Sequence, residues 1–328
     1  MGDKSVLVVG ATGLVGAAAV CHFCALGQPV IAAYRRPAGA PSEAQELLVD
    51  LSDAQACARV FSSLWDVTHL VFTALYESPV LVSGRSDEAQ ININDQMFRN
   101  VLDPLTASGD ALQHVTLLQG TKAYGVHVRT MSTPAREDRY ELRSQPNFYW
   151  AQEAYLRARA DNDTFRWTIL RPTLIVGGGV GGAMNLAPAI GVFAALLKAE
   201  GMPFVFPVGG PRIAAAADVD LVAKAIAWSG EARSASTQVF NLTNGDVYVW
   251  EQLWPAFADF FGMSSGAPES RSVEEFCRSR THLWDDLRRQ HNLIAPELDA
   301  FVEPSLQYCD YQFRLGLPQP GPARLSRP

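Results

Sequence analysis

Residues 6–16 read Val-Leu-Val-Val-Gly-Ala-Thr-Gly-Leu-Val-Gly, an apolar run followed directly by three closely spaced glycines. The run Val6–Val9 shows no alternation of polar and apolar residues, which is typical of a strand buried on both faces of a parallel sheet. The alanine-rich stretch Leu14–Ala25 follows as a predicted helix. The first glycine permits a tight turn, the second lets the backbone approach a pyrophosphate, and the third lets the helix pack on the strand. The stretch therefore predicts a helix whose N-terminus faces an anion, and the alternative is a tight turn without a ligand.

The first half of the chain repeats this alternation of short apolar runs and helical patterns. Further strands are expected at residues 30–33, 47–49, 69–72, 114–118 and 167–170, and further helices at 53–64, 91–105 and 147–160. Alternation at this spacing is typical of right-handed β-α-β units. The prediction is an α/β fold with a doubly wound parallel sheet of the Rossmann type.

The pattern changes close to residue 180. Residues 177–182 are five glycines and one valine, which indicates a loop, and an apolar helical stretch follows. We therefore expect a nucleotide-binding domain over residues 1–180 and a smaller, mostly helical substrate-binding region over residues 181–328. A strand near residues 238–243 is expected to return to the main sheet.

Composition excludes several classes of protein. The 328 residues are 48% hydrophobic, enough for a sizeable core, which excludes a disordered chain. With 27 Lys and Arg against 34 Asp and Glu, the net charge is −7, the wrong sign for a protein that coats phosphates. Five cysteines argue against a disulfide framework, and the six histidines show no metal-ligand spacing. No signal pattern or long apolar span is present, so we expect a cytoplasmic protein with no membrane, nucleic-acid or metal partner.

The residues that follow the predicted strands indicate which nucleotide binds. Arg35 and Arg36 come directly after the second strand, where an acidic residue is typical of NAD binding and an arginine accommodates the 2′-phosphate of NADP. The alternative is a solvated basic turn. Asp50 follows the third strand and suits the adenine edge, with a helix-capping turn as the alternative. The predicted cofactor is NADPH. The residues expected to contact it lie in the glycine turn, at strand ends or beyond the sixth strand: Gly10, Thr12, Gly13, Leu14, Val15, Gly16, Arg35, Arg36, Asp50, Leu51, Thr73, Ala74, Val176 and Met184.

A catalytic pair of the usual short-chain reductase type is missing from its usual place. Such enzymes use a tyrosine phenol and a nearby lysine charge, spaced Tyr-x-x-x-Lys, and none of the nine tyrosines is followed by lysine four places later. Of the four lysines, only Lys122 lies at the carboxyl end of a central predicted strand. Either the pair has been lost, or Lys122 supplies the charge from another element.

Several stretches together resemble one family. They are Tyr34–Pro37, similar to its ARRP turn, Asn94–Leu102, similar to its NGxMxxNVL helix, Gln119–Tyr124, similar to TGTKHY, Asn147–Trp150, similar to NFYY, and Phe240–Pro255, similar to FNxTNGDVxxWxxxWP. The chain thus resembles the progesterone 5β-reductase/iridoid synthase family, a group of atypical extended short-chain dehydrogenases/reductases that reduce enones. The resemblance runs along nearly the whole chain.

The resemblance implies roles for individual residues. Lys122 and Tyr149, the first tyrosine of the NFYY-like motif, would form the catalytic pair, with NADPH as cofactor and a homodimer as the assembly. Trp150 stands where the family has a second tyrosine. Val128 stands where the family usually has the phenylalanine that walls the substrate pocket, so we expect a pocket of different shape. The residues expected to line that pocket are Tyr124, Val128, Phe148 and Phe193.

The function expected from these observations is NADPH-dependent reduction of the C=C bond of an α,β-unsaturated carbonyl compound that is small and apolar. Hydride would pass to the β-carbon while Tyr149, assisted by Lys122, stabilises enolate character at the carbonyl oxygen. Two enzyme alternatives use the same pair, carbonyl (1,2) reduction and the epimerisation or dehydration of a sugar nucleotide. An alternative of another class is a noncatalytic protein that senses NADP.

Overall fold

A computed structural model of the chain describes residues 4–36, 41, 43–77, 88–126, 128, 135–139, 142–179, 184–207, 213–302 and 305–314. The strands are β1 (Val6–Val9), β2 (Val30–Tyr34), β3 (Gln45–Leu48), β4 (His69–Phe72), β5 (His114–Leu118), β6 (Arg166–Pro172), β7 (Leu174–Val176), β8 (Ile213–Ala214), β9 (Ala216–Asp218), β10 (Gln238–Leu242) and β11 (Tyr248–Val249). The α-helices are α1 (Leu14–Ala25), α2 (Ala54–Phe61), α3 (Glu88–Ala107), α4 (Phe148–Ala160), α5 (Leu186–Ala199), α6 (Val219–Glu231), α7 (Trp250–Phe261), α8 (Val273–Arg278), α9 (Thr281–Gln290), α10 (Leu298–Val302) and α11 (Ser305–Arg314).

Seven of these strands form one sheet in the order β10-β6-β5-β4-β1-β2-β3. Every neighbouring pair is parallel, and Val6 of β1 lies opposite Val30 on one side and His69 on the other. The strand order reverses between β1 and β4, which is where a doubly wound sheet opens a crevice at the carboxyl ends of its strands. The predicted doubly wound parallel sheet is confirmed.

The sheet is buried on both faces, as the apolar run at its centre predicts. Leu7 and Val9 face a core that also contains Phe72, while Val6 and Val8 face a second core on the other side, and all four β1 residues are inaccessible to solvent. Helices α2, α3 and α4 contribute to the first core, and α1 and α6 to the second. Packing on both faces of β1 fixes the position of its carboxyl end, where the glycine turn begins.

Short polar side chains begin several of the helices. Asp53, Asn147, Asn185, Asp218 and Ser272 each accept a hydrogen bond from a backbone N–H in the first turn of the helix that follows. Such caps satisfy amide groups that the helix itself leaves without a partner. The cap at Asn147 positions the start of α4, and therefore Tyr149.

The described residues divide into two compact units. The first holds those up to Gly177 together with Ala216–Asn244, and the second holds Gly178–Ala215 and the residues from Gly245 onward. The strand expected near residues 238–243 is β10, which pairs with β6, and α6 belongs to the first unit with it. The boundary expected at residue 180 therefore leaves out a segment that returns to the sheet. The division of nucleotide and substrate binding between residues 1–180 and 181–328 stays a prediction.

The second unit has an aromatic core. Phe204 stacks on Trp254 with ring centroids 4.9 Å apart, and Phe193 meets Phe276 edge to face at 5.2 Å. Residues 273–290 form two helices, α8 and α9, and Ser279, the C-cap of α8, donates from Oγ to the Phe276 carbonyl at 2.9 Å. None of the described helices is both long and apolar enough to cross a lipid bilayer.

Candidate active site

The glycine turn after β1 is packed so closely that a Cβ on either of two glycines would collide with backbone atoms. Gly10 has φ +86°, and a Cβ on it would stand 2.7 Å from the backbone nitrogen of Ala74, at the end of β4. A Cβ on Gly16 would collide with the Gly10 carbonyl group, 2.8 Å from its carbon. Thr73 donates from Oγ1 to the Val9 carbonyl at 2.9 Å, which joins the ends of β1 and β4. The turn therefore packs against the end of β4, at the crevice between β1 and β4 where the strand order reverses.

The N-terminus of α1 is suited to an anion. Gly13 is its N-cap residue, is exposed, and has no side chain to bond the first amide groups. The amides of Leu14, Val15 and Gly16 belong to the first turn, where no carbonyl of the helix can accept from them. Thr12 lies exposed beside them. Free amides, the helix dipole and a glycine at the point of approach together fit the pyrophosphate of a dinucleotide.

Arg35 and Arg36 are both exposed directly after β2. Asp50 accepts hydrogen bonds from the backbone nitrogen and hydroxyl of Ser52, at 2.9 and 2.7 Å. These bonds, with a smaller contribution from the charge of Arg35, lower the pKa of Asp50. The charge of Arg35 thus acts on Asp50, and Asp50 forms a turn with Ser52 directly before Asp53, the residue that caps α2.

Other residues expected at the cofactor occupy different environments. Leu51 is buried in the core, and its carbonyl accepts from Asn100 Nδ2 at 2.8 Å. Val176 ends β7, and a Cβ on the next residue, Gly177, would stand 3.4 Å from Leu14 Cδ1, so this segment approaches the start of α1. Met184, in the second unit, has φ +63°, a left-handed conformation that is rare for a long side chain. Contacts of Leu51, Val176 and Met184 with a cofactor stay predictions.

Tyr149 lies over the end of β5. Its hydroxyl is 3.6 Å from the point where a Cβ on Gly120 would stand. Asn147 joins the two candidate catalytic residues, because its Oδ1 accepts from Tyr149 N at 3.0 Å while its Nδ2 donates to the Lys122 carbonyl at 2.8 Å. The cap of α4 therefore ties the helix that carries Tyr149 to the 3-10 turn Thr121–Tyr124 that carries Lys122.

The Lys122 ammonium forms an ion pair with Glu77. Nζ lies 3.0 Å from Glu77 Oε1, and the side chains are 19% and 9% exposed. Glu77 Oε2 accepts from Gln90 Nε2, also at 3.0 Å. Lys122 is therefore held by its carbonyl and by its ammonium.

A buried polar network lies beneath Tyr149. Gln119 donates from Nε2 to the Tyr149 carbonyl at 3.0 Å and accepts at Oε1 from Arg171 Nε at 2.9 Å. Arg171 Nη2 donates to Glu153 Oε2 at 2.8 Å, and Arg157 donates to the other oxygen of Glu153. Glu153 stands one turn after Tyr149 on α4. The backbone at the start of α4 is thereby tied to the ends of β5 and β6.

Of the residues expected around the substrate, the first unit brings Tyr124 and Phe148 to this network. The Tyr124 hydroxyl donates to Asn241 Oδ1 at 2.7 Å, and the Arg171 guanidinium lies 5.0 Å from its ring centre. Burial raises the pKa of Tyr124. The Phe148 ring lies 4.4 Å from that of Tyr149. Val128 is exposed, whereas Phe193 is buried in the aromatic core of the second unit, so their substrate contacts stay predictions.

Several residues at this site were not anticipated from the sequence. Asn147 is the first residue of the helix predicted over residues 147–160, and a capping signal would have identified it as the residue before the helix. Gln119, Arg171 and Glu153 give no such signal, because their pairing depends on strand order. Glu77 follows β4 in a stretch without periodicity.

Comparisons with known proteins show which family the chain belongs to. The model of the PRISE-like Rossmann-fold domain family matches residues 46–308. The (S)-8-oxocitronellyl enol synthase of Catharanthus roseus is 30% identical over 332 residues, covering 93% of this chain and 82% of that protein. The 3-oxo-Delta(4,5)-steroid 5-beta-reductase of Arabidopsis thaliana is 29% identical, covering 90% of this chain and 80% of its own.

A solved structure shows the same fold at lower identity. A UDP-glucose 4-epimerase superposes with a TM-score of 0.65 at 18% identity, covering 82% of this chain and 86% of its own. The family match and the relatives confirm the resemblance read from the sequence motifs. The chain belongs to the PRISE-like family of Rossmann-fold proteins, within the NAD(P)-dependent oxidoreductases of the short-chain dehydrogenase/reductase superfamily.

Proposed function

We propose that this protein is an NADPH-dependent enone reductase that transfers hydride to the β-carbon of an α,β-unsaturated carbonyl compound. The observation that carries the proposal is the position of the Tyr149 hydroxyl, 3.6 Å from where a Cβ on Gly120 would stand, with Lys122 on the adjoining turn. A side chain at position 120 would occupy the space beside the phenol. Glycine leaves that space for a substrate oxygen.

The residues that would hold the cofactor surround the start of α1. The first-turn amides of Leu14, Val15 and Gly16 would bind the pyrophosphate, and Arg35 with Arg36 would bind the 2′-phosphate that distinguishes NADPH from NADH. When bound, the nicotinamide supplies the hydride.

Tyr149 acts at the carbonyl oxygen of the substrate. Its hydroxyl donates a hydrogen bond to that oxygen and stabilises the negative charge that develops there. The Lys122 charge favours proton donation by the phenol and stabilises the phenolate. The substrate contributes a carbonyl for this contact and a conjugated C=C bond for reduction.

The names of the two relatives support the substrate class. One is a steroid reductase whose substrate is a 3-oxo-Delta(4,5) compound, and the other is an enol synthase. Phe148 against Tyr149 gives the site an aromatic side, which suits a small apolar molecule. The proposal also includes a homodimer, which sedimentation would test, and a cytoplasmic location.

The test is steady-state NADPH oxidation with cyclic and acyclic enones, followed by identification of the products. We expect saturated carbonyl products, which arise by 1,4 reduction. Allylic alcohols from every substrate would point to carbonyl reduction instead. Turnover of UDP- or GDP-sugars with none of the enones would replace the proposal with the epimerase alternative, and tight NADPH binding without any turnover would favour the sensor.

A further inference from the structure

Lys122 stands on a short 3-10 turn rather than on the helix that carries Tyr149. In the Tyr-x-x-x-Lys arrangement, a single turn of helix sets the distance between the two side chains. The displaced lysine lacks that constraint, and its four-carbon side chain has many rotamers. An ammonium that acts on a phenol from such a position needs a contact that fixes it.

Glu77 supplies a contact of this kind. The Lys122–Glu77 pair is mostly withdrawn from solvent, so it is screened less than a surface pair. The second oxygen of Glu77 accepts from Gln90, which is itself 3% exposed. One oxygen of the Glu77 carboxylate therefore contacts Lys122, and the other accepts a hydrogen bond from the buried side-chain amide of Gln90 on α3.

The backbone next to Glu77 is fixed by the same helix. Asn94 accepts from Tyr76 N and donates to the Tyr76 carbonyl, both at 2.8 Å, and Gln90 donates to that carbonyl at 3.1 Å. Asn94 is 1% exposed. Two buried amides on successive turns of α3 thus hold residues 76 and 77, and these in turn hold the ammonium of Lys122.

We propose that Glu77 is a positioning residue for the reaction, holding the Lys122 ammonium where it assists Tyr149, with Gln90 and Asn94 holding Glu77. This inference rests on the proposed function. A carboxylate that only stabilised the fold would change the free energy of unfolding when removed, and kcat would follow the folded fraction. A positioning carboxylate changes kcat in fully folded enzyme.

Two variants separate these roles. Glu77→Gln keeps an oxygen that can accept from Lys122, whereas Glu77→Ala removes the acceptor. We expect Glu77→Ala to lower kcat by roughly 10- to 100-fold, the cost of misplacing a reacting group, while KM for the enone changes little. Glu77→Gln should recover most of that loss. Thermal unfolding and NADPH binding confirm that both variants are folded.

A second measurement does not depend on activity. Acetylation of each of the four lysines by limiting acetic anhydride is followed by mass spectrometry. An ammonium held by a carboxylate is protected, so Glu77→Ala should raise labelling of Lys122 several-fold and leave that of Lys224 unchanged. The matched control is Glu231→Ala, which removes the partner of Lys4, 2.7 Å away. It should raise labelling at Lys4 alone and leave kcat unchanged.

The outcomes distinguish the two proposals. A parent protein inactive on every enone overturns the proposed function, whatever the labelling shows. An active parent whose Glu77→Ala variant keeps full kcat overturns the positioning role. Unchanged labelling of Lys122 in Glu77→Ala overturns the contact on which the role depends. Equal losses of kcat in Glu77→Gln and Glu77→Ala, with both variants folded, also overturn the positioning role. The amide oxygen of the Gln variant should still accept a hydrogen bond from Lys122 and keep the ammonium in place.

Discussion

Arg171 on β6 and Glu153 on α4 form an ion pair with no exposure of either side chain, and Nη2 lies 2.8 Å from Oε2. Removing two charges from water costs several kcal/mol per ion before their attraction is counted. The pair nevertheless satisfies a specific need, because Arg171 also holds Gln119, which donates to the Tyr149 carbonyl. A buried pair thus links the sheet to the helix that carries the candidate phenol.

The first prediction concerns this pair. Glu153→Gln leaves the Arg171 charge buried without its carboxylate, so we expect a loss of about 3–5 kcal/mol in the free energy of unfolding. The double variant Arg171→Met/Glu153→Leu should lose less than the single variant, since no charge stays buried. Urea unfolding at neutral pH measures both. The exposed pair Arg278–Glu274 is the control, and Glu274→Gln should cost less than about 1 kcal/mol. A double variant with a lower free energy of unfolding than Glu153→Gln would contradict this account.

The second prediction concerns the glycine turn. A Cβ on Gly16 meets the Gly10 carbonyl group, so Gly16→Ala must push α1 away from β1. We expect NADPH affinity to fall by at least tenfold and the protein to be less stable.

Gly191, inside α5, has nothing within 4 Å of its Cβ position and is a matched control. Gly191→Ala should stabilise the protein by about 0.5–1 kcal/mol through helix propensity alone. Calorimetric titration measures NADPH affinity, and thermal unfolding measures the stability of both variants. NADPH binding by Gly16→Ala as tight as that of the parent would contradict the close packing of the glycine turn.

The glycine turn and the buried ion pair show where the sequence was sufficient and where it was not. Periodicity and the order of the glycines predicted β1, α1 and the parallel sheet, because each depends on residues close together in the chain. Arg171, Glu153 and Gln119 come from three elements, and which strands are neighbours decides whether they meet. Distant pairings of this kind leave no local pattern.

The third prediction concerns cofactor choice. Arg35 and Arg36 are exposed beside the end of β2, free to meet a 2′-phosphate. Replacing both with alanine should weaken NADPH binding by roughly 10- to 100-fold, the magnitude of one to two charge-assisted hydrogen bonds, and leave NADH binding almost unchanged. Fluorescence titration of the two nucleotides measures the ratio. Equal affinity of the parent for NADH and NADPH would remove the basis of this assignment.

The fourth prediction concerns pH and stability. Burial lowers the pKa of His69, and burial with the nearby His69 charge lowers the pKa of His114 to about 3. Their rings lie 6.0 Å apart, and His114 Nε2 is 3.0 Å from Thr168 Oγ1. Folded His114 is therefore neutral where the unfolded chain takes up protons, below a pKa of about 6.5, and folded His69 takes up protons less readily than it does in the unfolded chain.

The sign follows from this difference. As pH falls from about 6.5 towards 3, the unfolded state binds a proton at His114 that the folded state does not, so stability falls, by up to about 1.4 kcal/mol per pH unit, and His69 acts in the same direction. Urea unfolding between pH 7 and 4 measures the slope. His114→Gln cannot be protonated and should flatten it, after any constant loss of stability is subtracted. An unchanged slope in that variant would show that His114 is not responsible.

The last prediction concerns the catalytic pair. Tyr149→Phe deletes a hydroxyl that stands beside Gly120 and keeps the ring that packs on Phe148, so unfolding should barely change. If the hydroxyl stabilises charge in the transition state, kcat falls by roughly 10²–10³-fold on a weakly activated enone. The loss should be smaller on a strongly activated one, which accepts hydride with less help at oxygen. Lys122→Met should act in the same direction, because the phenol loses its neighbouring charge. Stopped-flow NADPH oxidation with both substrates measures the effect. Full rates for both variants on the weakly activated enone would mean that neither side chain takes part in the reaction.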